Sequence, residues 1–331
     1  MLNSLLTNII SFPGLGIGKF ELDPVAFRIP LPWLDEPHPI MWYGIIVTLA
    51  MVVGFMIALK KSKFEGIKTD DMFDLALYLI VFCILGARLY YVLFYPGNYD
   101  SLLDILAIWN GGLAIYGGVL AGIITIVVFT KIKKINTAKL LDCAAPGLII
   151  GQAMGRWGNF CNAEAYGGKT SLPWRMSIIH DGIGNRIEVH PTFLYESLWN
   201  IIGFVLIMTF YKKKKFNGQM ALFYGVWYGF GRFFIEGLRT DSLYLPGTAL
   251  RVSQLVAGIC VVGGIAAMLI CGKIAKARRD ESGEYQEVYS ATDRLPGFDG
   301  EASYEIKPNT PDESTFNTDG IPGEPEIEKE N

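Results

Sequence analysis

Arg156 and Arg232 stand inside apolar stretches of this chain. A charged side chain at the centre of a membrane-length apolar segment costs about 2.5–3.5 kcal/mol even on the mildest insertion scales, so it marks a place where something binds it. Around the first, Gly155-Arg156-Trp157-Gly158-Asn159-Phe160-Cys161-Asn162 sets Arg156, Asn159 and Asn162 three apart, on one face if a helix continues that far. Gly155 and Gly158 carry no side chain beside that face, so a neighbouring helix or a headgroup can approach it. Around the second, Tyr228, Arg232, Glu236 and Arg239 recur at i, i+4, i+8 and i+11, again one stripe. A third apolar stretch opens with His190-Pro191-Thr192-Phe193-Leu194-Tyr195-Glu196, where Pro191 suits a first helical turn and Glu196 lies just inside; Arg88 sits in a fourth. Guanidinium forks take phosphate or carboxylate in bidentate fashion, so two at one depth make an anion site, with Glu164 and Glu236 to hold them or share a proton relay. A structural reading competes: ion pairs Arg232–Glu236 and Arg156–Glu164, Arg88 snorkelling toward phosphates, and His190 capping its helix.

Other chemistries lack their residues. His38, His180 and His190 show no metal-ligand spacing, and Cys83, Cys143, Cys161, Cys260 and Cys271 are scattered singly, with no paired spacing for zinc or a redox centre. There is no G-x-S-x-G elbow, Walker loop or dinucleotide fingerprint. Nothing asks for a metal, a cofactor or a nucleic acid.

The elements that position these residues are membrane helices. Hydrophobic residues make up 51% of the 331 and charged residues only 18%, with a mean hydropathy of +0.32, outside the soluble norm. Stretches near the roughly 20 residues a bilayer core requires occur at about 40–59, 72–94, 112–130, 140–157, 192–211, 219–236 and 252–272, which predicts an all-α integral membrane protein of seven spans. Lysine and arginine concentrate in loops that stay cytoplasmic. Basic clusters follow the first span (Lys60, Lys61, Lys63, Lys68), the third (Lys131, Lys133, Lys134, Lys139), the fifth (Lys212 to Lys215) and the seventh (Lys273, Lys276, Arg278, Arg279), whereas Pro96 to Gly111 carries none. That places the N-terminus outside and the C-terminus inside.

Residues 1–39, broken by six prolines, form an external arm, and the Gly- and Pro-containing stretch 161–191 between spans four and five forms a small external cap. No cleaved signal peptide is apparent. From Asp280 onward 15 acids face 3 bases, leaving 17 acids and 26 bases in the body; the tail 280–331 reads as a disordered cytoplasmic segment outside the 40–279 membrane domain. With this topology Arg156 to Asn162, His190 to Glu196 and Arg232 to Arg239 all gather toward the outer leaflet, with Tyr43 and Tyr116 in the outer halves of their spans. The anion at that depth is a lipid phosphate. A transporter is the competing class, but matching halves with interrupted helices are not apparent.

The spaced motifs resemble the signature of the prolipoprotein diacylglyceryl transferase family. The similarity runs through Gly155-Arg156-Trp157-Gly158-Asn159-Phe160, Asn162-x-Glu164-x-x-Gly167, His190-Pro191-x-x-Leu194-Tyr195-Glu196, Tyr228-Gly229-x-Gly231-Arg232-Phe233-x-x-Glu236-x-x-Arg239, Trp42-Tyr43-Gly44 and Gly86-Ala87-Arg88, over about residues 38–272. It implies a transferase of the bacterial cytoplasmic membrane that moves the diacylglyceryl group of phosphatidylglycerol to the lipobox cysteine of prolipoprotein signal peptides, releasing glycerol phosphate. By motif position Arg156 and Arg232 handle the phosphate, Asn159, Asn162, Glu164 and Gly167 belong to the signature, Tyr43 and Tyr228 line the pocket, Glu236 and Arg239 support Arg232, and Arg88, His190 and Glu196 join the substrate site. Some members have a histidine before a Gly-Gly pair in the third span; this chain reads Tyr116-Gly117-Gly118, so Tyr116 joins Arg156 and Arg232 in the catalytic set, as an orienting hydrogen-bond donor or, where an arginine lowers its pKa, as a proton-transfer group.

Overall fold

A computed structural model describes residues 7–30, 32, 36–95, 101, 105, 107, 108, 111–180, 186–240, 244, 248 and 251–282. The acidic tail beyond 282 lies outside them, as does most of the Pro96–Gly111 connection. Seven long helices are present among the described residues: α1 (Trp42–Phe64), α2 (Thr69–Phe94), α3 (Ile115–Ile132), α4 (Thr137–Cys161), α5 (Thr192–Phe210), α6 (Gln219–Leu238) and α7 (Val252–Ser282). Five of them, α1, α2, α3, α5 and α7, are long and apolar enough to cross a membrane. The other two, α4 and α6, carry Arg156 and Arg232 and are diluted by Pro146, Gln152 and several glycines. Outward faces are apolar, with Ile115 76% and Val262 71% exposed, which suits a surface solvated by lipid tails rather than water.

The helical class holds, with one correction: two small antiparallel sheets accompany the helices. Strands β1 (Asn8–Phe12), β2 (Ile17–Leu22), β5 (Met176–His180) and β6 (Arg186–Val189) form a sheet in the order β2-β1-β5-β6, while β3 (Val25–Ile29) and β4 (His38–Met41) form a hairpin leading straight into α1. The first two strands of the arm thus share a sheet with the cap, with Asn8 opposite His180 and Ile10 opposite Ile178. Ile10, Met176, Ile178 and Val189 turn their side chains onto Ala163 and Phe193, so the sheet is seated on the end of α4 and the start of α5.

Two devices set how far the helices slide past one another. Trp199 of α5 and Trp227 of α6 stack with centroids 4.3 Å apart, and each indole N–H donates to the other's backbone carbonyl, at 2.9 and 3.0 Å. Gly203 and Gly231 lie under the two rings, where any Cβ would collide with an indole. This clasp brings Glu196, one turn before Trp199, to the level of Arg232, five residues after Trp227.

The second device lies at the other end of the bundle. There Lys214 is buried against Glu65 at 2.6 Å and Asp142 at 2.9 Å. Asp142 of α4 also accepts the backbone N–H groups of Gly218, Met220 and Ala221, at 2.8–3.0 Å, and so caps the N-terminus of α6 from a different helix. Burial alone would lower the Lys214 pKa, but the hydrogen bonds to Glu65 and Asp142 raise it above the ordinary lysine value and keep the ammonium charged.

Candidate active site

The C-terminal end of α4, the first turns of α5 and the C-terminal half of α6 meet at one buried carboxylate. Glu196 Oε1 accepts from Arg156 Nη2 at 2.6 Å and Glu196 Oε2 accepts from Arg232 Nη1 at 3.1 Å, so a single side chain bridges the two arginines. Arg232 Nη2 also pairs with Glu236 at 2.6 Å, one turn further along α6. The carboxylates form the floor, with side chains 3% exposed, and the guanidinium groups the open side, at 19% for Arg156 and 17% for Arg232. Two cations and two anions sum to zero. Breaking either pair would leave a charge partly buried without its partner, and that cost keeps the arrangement together.

Around this core the α4 signature folds into a hydrogen-bonded chain. Arg156 Nη1 donates to Asn159 Oδ1 at 3.2 Å, and Asn159 Nδ2 donates to Glu164 Oε1 at 2.8 Å, with Asn162 Nδ2 reaching the same oxygen at 3.4 Å. The pairing Arg156–Glu164 is therefore corrected: Asn159 stands between them, and the direct partner of Arg156 is Glu196. Tyr228 stands one turn before Arg232 on the same face of α6, with the charges of Glu196, Arg232 and Arg156 acting on its phenol. The Tyr43 ring lies over Gly158, where a Cβ would meet it at 2.8 Å, which brings the start of α1 beside Arg156 and Asn159.

Gly167 ties the cap to α6. It pairs with Arg239 in an isolated bridge, its N–H donates to the His190 carbonyl at 3.0 Å, and that of Gly168 donates to the Leu238 carbonyl at 2.8 Å. A Cβ on Gly167 would meet the His190 Cβ at 2.7 Å, so a glycine here answers a steric need. The His190 ring nitrogen Nδ1 lies 3.3 Å from the Tyr195 hydroxyl, whose oxygen accepts from Trp174 Nε1 at 2.7 Å; His190 works within the cap rather than on the arginines.

Two expected site residues fall elsewhere. Arg88 is buried in α2, donating from Nε to the Ile105 carbonyl at 2.8 Å and from Nη1 to those of Gly111 and Gly112 at 2.7 and 3.0 Å. It fastens the α2–α3 connection instead of snorkelling outward. Lysine offers charge without the fork, so Arg88→Lys is expected to lose two of these bonds and about 2–3 kcal/mol of stability, read as a lower unfolding midpoint in detergent with phosphatidylglycerol affinity unchanged. Tyr116, 44% exposed on α3, has Tyr90 of α2 as its aromatic neighbour, centroids 6.4 Å apart, and shows no hydrogen bond to the arginines among the described residues.

Several polar residues escaped the sequence reading. One turn below the arginine layer each of the three site helices carries one: Gln152 lies four residues before Arg156, Tyr224 four before Tyr228, and Asn200 four after Glu196. Gln152 Nε2 donates to the Tyr224 hydroxyl at 2.9 Å, and Asn200 is fully buried with no hydrogen-bond partner for its amide among the described residues. Arg251, just before α7, donates from Nη1 to the Glu236 carbonyl. The i±4 spacing from known site residues was the available signal for the first three. For Arg251 it was a basic residue directly preceding an apolar helix.

A membrane protein whose helix ends converge on two arginines sharing one buried carboxylate, under a small β cap, has the features of an enzyme acting on an anionic headgroup. The chain belongs to the prolipoprotein diacylglyceryl transferase family, whose model matches residues 24–270. Similar proteins carry the name phosphatidylglycerol–prolipoprotein diacylglyceryl transferase. One from Finegoldia magna is 48% identical over 246 residues, covering 74% of this chain and 94% of that relative. One from Streptococcus agalactiae is 45% identical over 252 residues (74% and 94%), and one from Clostridioides difficile 46% identical over 235 (71% and 92%). The match begins at 24 and so takes in the β3–β4 hairpin, which belongs to the arm.

Proposed function

We propose that the chain transfers the diacylglyceryl group of phosphatidylglycerol to the cysteine thiol of prolipoproteins. The observation that carries the reading is the bridge Arg156–Glu196–Arg232, with the open sides of both guanidinium groups available to a phosphate. The reaction is displacement at carbon: a sulfur–carbon bond forms to the glyceryl carbon, the carbon–oxygen bond to phosphate breaks, and glycerol phosphate departs. Donors already oriented by Glu196, Glu236 and Asn159 meet the charge that develops on the leaving oxygen without reorganising, which is where fixed dipoles and charges lower a barrier most. A cysteine thiol has an ordinary pKa of about 8.5, so the electropositive side of this site favours its thiolate, with the proton passing to water rather than to a dedicated base. Tyr228, on the same face of α6 as Arg232, orients the lipid phosphate or the thiol. No cofactor is needed.

In this reading α4 and α6 cross the bilayer with the other five helices, their polar faces shielded within the bundle, giving seven spans with the cap and the arginine layer at the outer leaflet of the cytoplasmic membrane. Basic clusters at or just past the C-terminal ends of α1, α3, α5 and α7 support that orientation. Single cysteines at Lys169 in the cap and at Lys213 after α5, in a background lacking native cysteines, test it. An impermeant thiol reagent added to whole cells is expected to modify the first and not the second, and the reverse pattern would move the site to the inner leaflet. The reaction itself is tested by reconstituting the protein with labelled phosphatidylglycerol and a lipobox peptide. A thioether-linked diacylglyceryl peptide is the expected product; lipid moved between leaflets without thioether would make the protein a transporter, and release of glycerol phosphate without peptide would make it a lipid hydrolase.

A further inference from the structure

At the end of the bundle away from the arginine pair, α5, α6 and α7 enclose a groove of about 320 Å³. Leu206, Phe210, Phe223 and Met268 give it an apolar lining, and Lys213 and Lys215 also line it. Both lysines are exposed, and the reason is local: Lys214 between them is turned into the bundle onto Glu65 and Asp142, which sends its two neighbours outward. Lys213 holds its ammonium 5.9 Å from the Phe210 ring centroid, over the groove lining. No acid lines the groove, and neither lysine has a salt-bridge partner among the described residues.

The apolar stretch Thr192–Lys213 ends at Lys213, so the two ammonium groups stand where a span meets the polar boundary of the bilayer. An apolar groove between membrane helices is filled by acyl chains, because water there would face leucine, phenylalanine and methionine. The lysines then choose among headgroups. Each basic residue beside a membrane surface favours an anionic lipid about fivefold, and two acting on one phosphate favour it roughly thirtyfold at low salt.

We propose that this groove binds one anionic phospholipid of that leaflet, its phosphate between Lys213 and Lys215 and an acyl chain along Phe210, Phe223 and Met268. The site is separate from the arginine pair, and it does not rest on the transferase reading. A bound lipid here spans α5, α6 and α7 beside the Lys214 knot and fastens the same helices whose far ends carry Glu196, Arg232 and Arg251.

The test uses the full chain in phosphatidylcholine nanodiscs containing a small fraction of phosphatidic acid or of phosphatidylcholine, each with the same photoreactive group on the acyl-chain carbons nearest the headgroup. Cross-linked residues are mapped by peptide mass spectrometry without any turnover measurement. Labelling at Phe210, Phe223 and Met268 is expected to be at least about tenfold greater with phosphatidic acid, and to fall to the phosphatidylcholine level in Lys213→Gln/Lys215→Gln. Lys213→Arg/Lys215→Arg, which keeps both charges, is expected to retain the preference. Retained labelling by phosphatidylcholine in the glutamine variant shows that the groove is intact. Equal labelling by the two probes in the wild-type chain, or a preference that survives in the glutamine variant, would overturn the proposal. Labelling by phosphatidic acid confined to the residues around Arg156 and Arg232 would overturn it as well, whatever the outcome of the transferase assay.

Discussion

Glutamine in place of Glu196 is expected to slow thioether formation at least about a hundredfold, or about 2.7 kcal/mol in the barrier. The side chain keeps its shape, yet two close guanidinium groups lose the shared anion between them and are left with Glu236 alone. Their repulsion drives Arg156 and Arg232 apart, and an amide that both donates and accepts cannot satisfy both arginines as a carboxylate does. Catalysis by preoriented donors is sensitive to shifts of this size. The measurement is turnover of labelled phosphatidylglycerol with a lipobox peptide, normalised to folded protein. A loss confined to kcat places the effect in the transition state, whereas a matching loss of lipid affinity places it in capture of the headgroup. Wild-type turnover by Glu196→Gln would show that the bridge serves packing only.

The second large effect concerns the arginines themselves. Arg156→Lys and Arg232→Lys each keep a positive charge and are each expected to reduce transfer at least about a hundredfold, because an ammonium cannot hold Glu196 with one nitrogen and present an adjacent coplanar N–H to phosphate. Both arginines have their two terminal nitrogens engaged, but Arg156 has more to lose, because through Asn159 it also orders Glu164. Arg156→Lys should therefore loosen the loop after α4 as well, seen as faster amide exchange around Asn162 to Gly167, whereas Arg232→Lys should leave that loop protected. If both lysine variants turned over near the wild-type rate, the phosphate would have to be gripped elsewhere. Arg251, which holds the Glu236 carbonyl, is then the next arginine to replace.

Much of this site was legible before any coordinates because burying charge in an apolar helix is costly. Arg156, Arg232 and Glu236 stand out against their surroundings, and helical periodicity alone places Tyr228, Arg232 and Glu236 on one face. The partner of Arg156 was not legible. Glu164 is eight residues away and Glu196 forty, and a sequence favours the nearer acid; the structure chooses the farther one because the Trp199–Trp227 clasp sets α5 and α6 in register and delivers Glu196 between the arginines. Arg88 is a related case. An arginine near a helix end looks free to snorkel, and only the tertiary structure brings the carbonyls of Ile105, Gly111 and Gly112 onto it.

The sequence by itself determined that this is a helical membrane protein and which residues are too polar to face lipid, because hydropathy and helical spacing are local properties of the chain. The family resemblance was equally local, carried by short runs such as Gly155 to Gly167. Tertiary structure decided the rest. The β1–β5 pairing joins residues 8–11 to 177–180, and strands that find partners so far along the chain carry no sign of the partner's identity. The bridging role of Glu196, the capping of α6 by Asp142 and the outward turn of Lys213 and Lys215 depend on which helices lie side by side, and hydrophobic periodicity says only that each helix has a face to bury, not which neighbour will cover it.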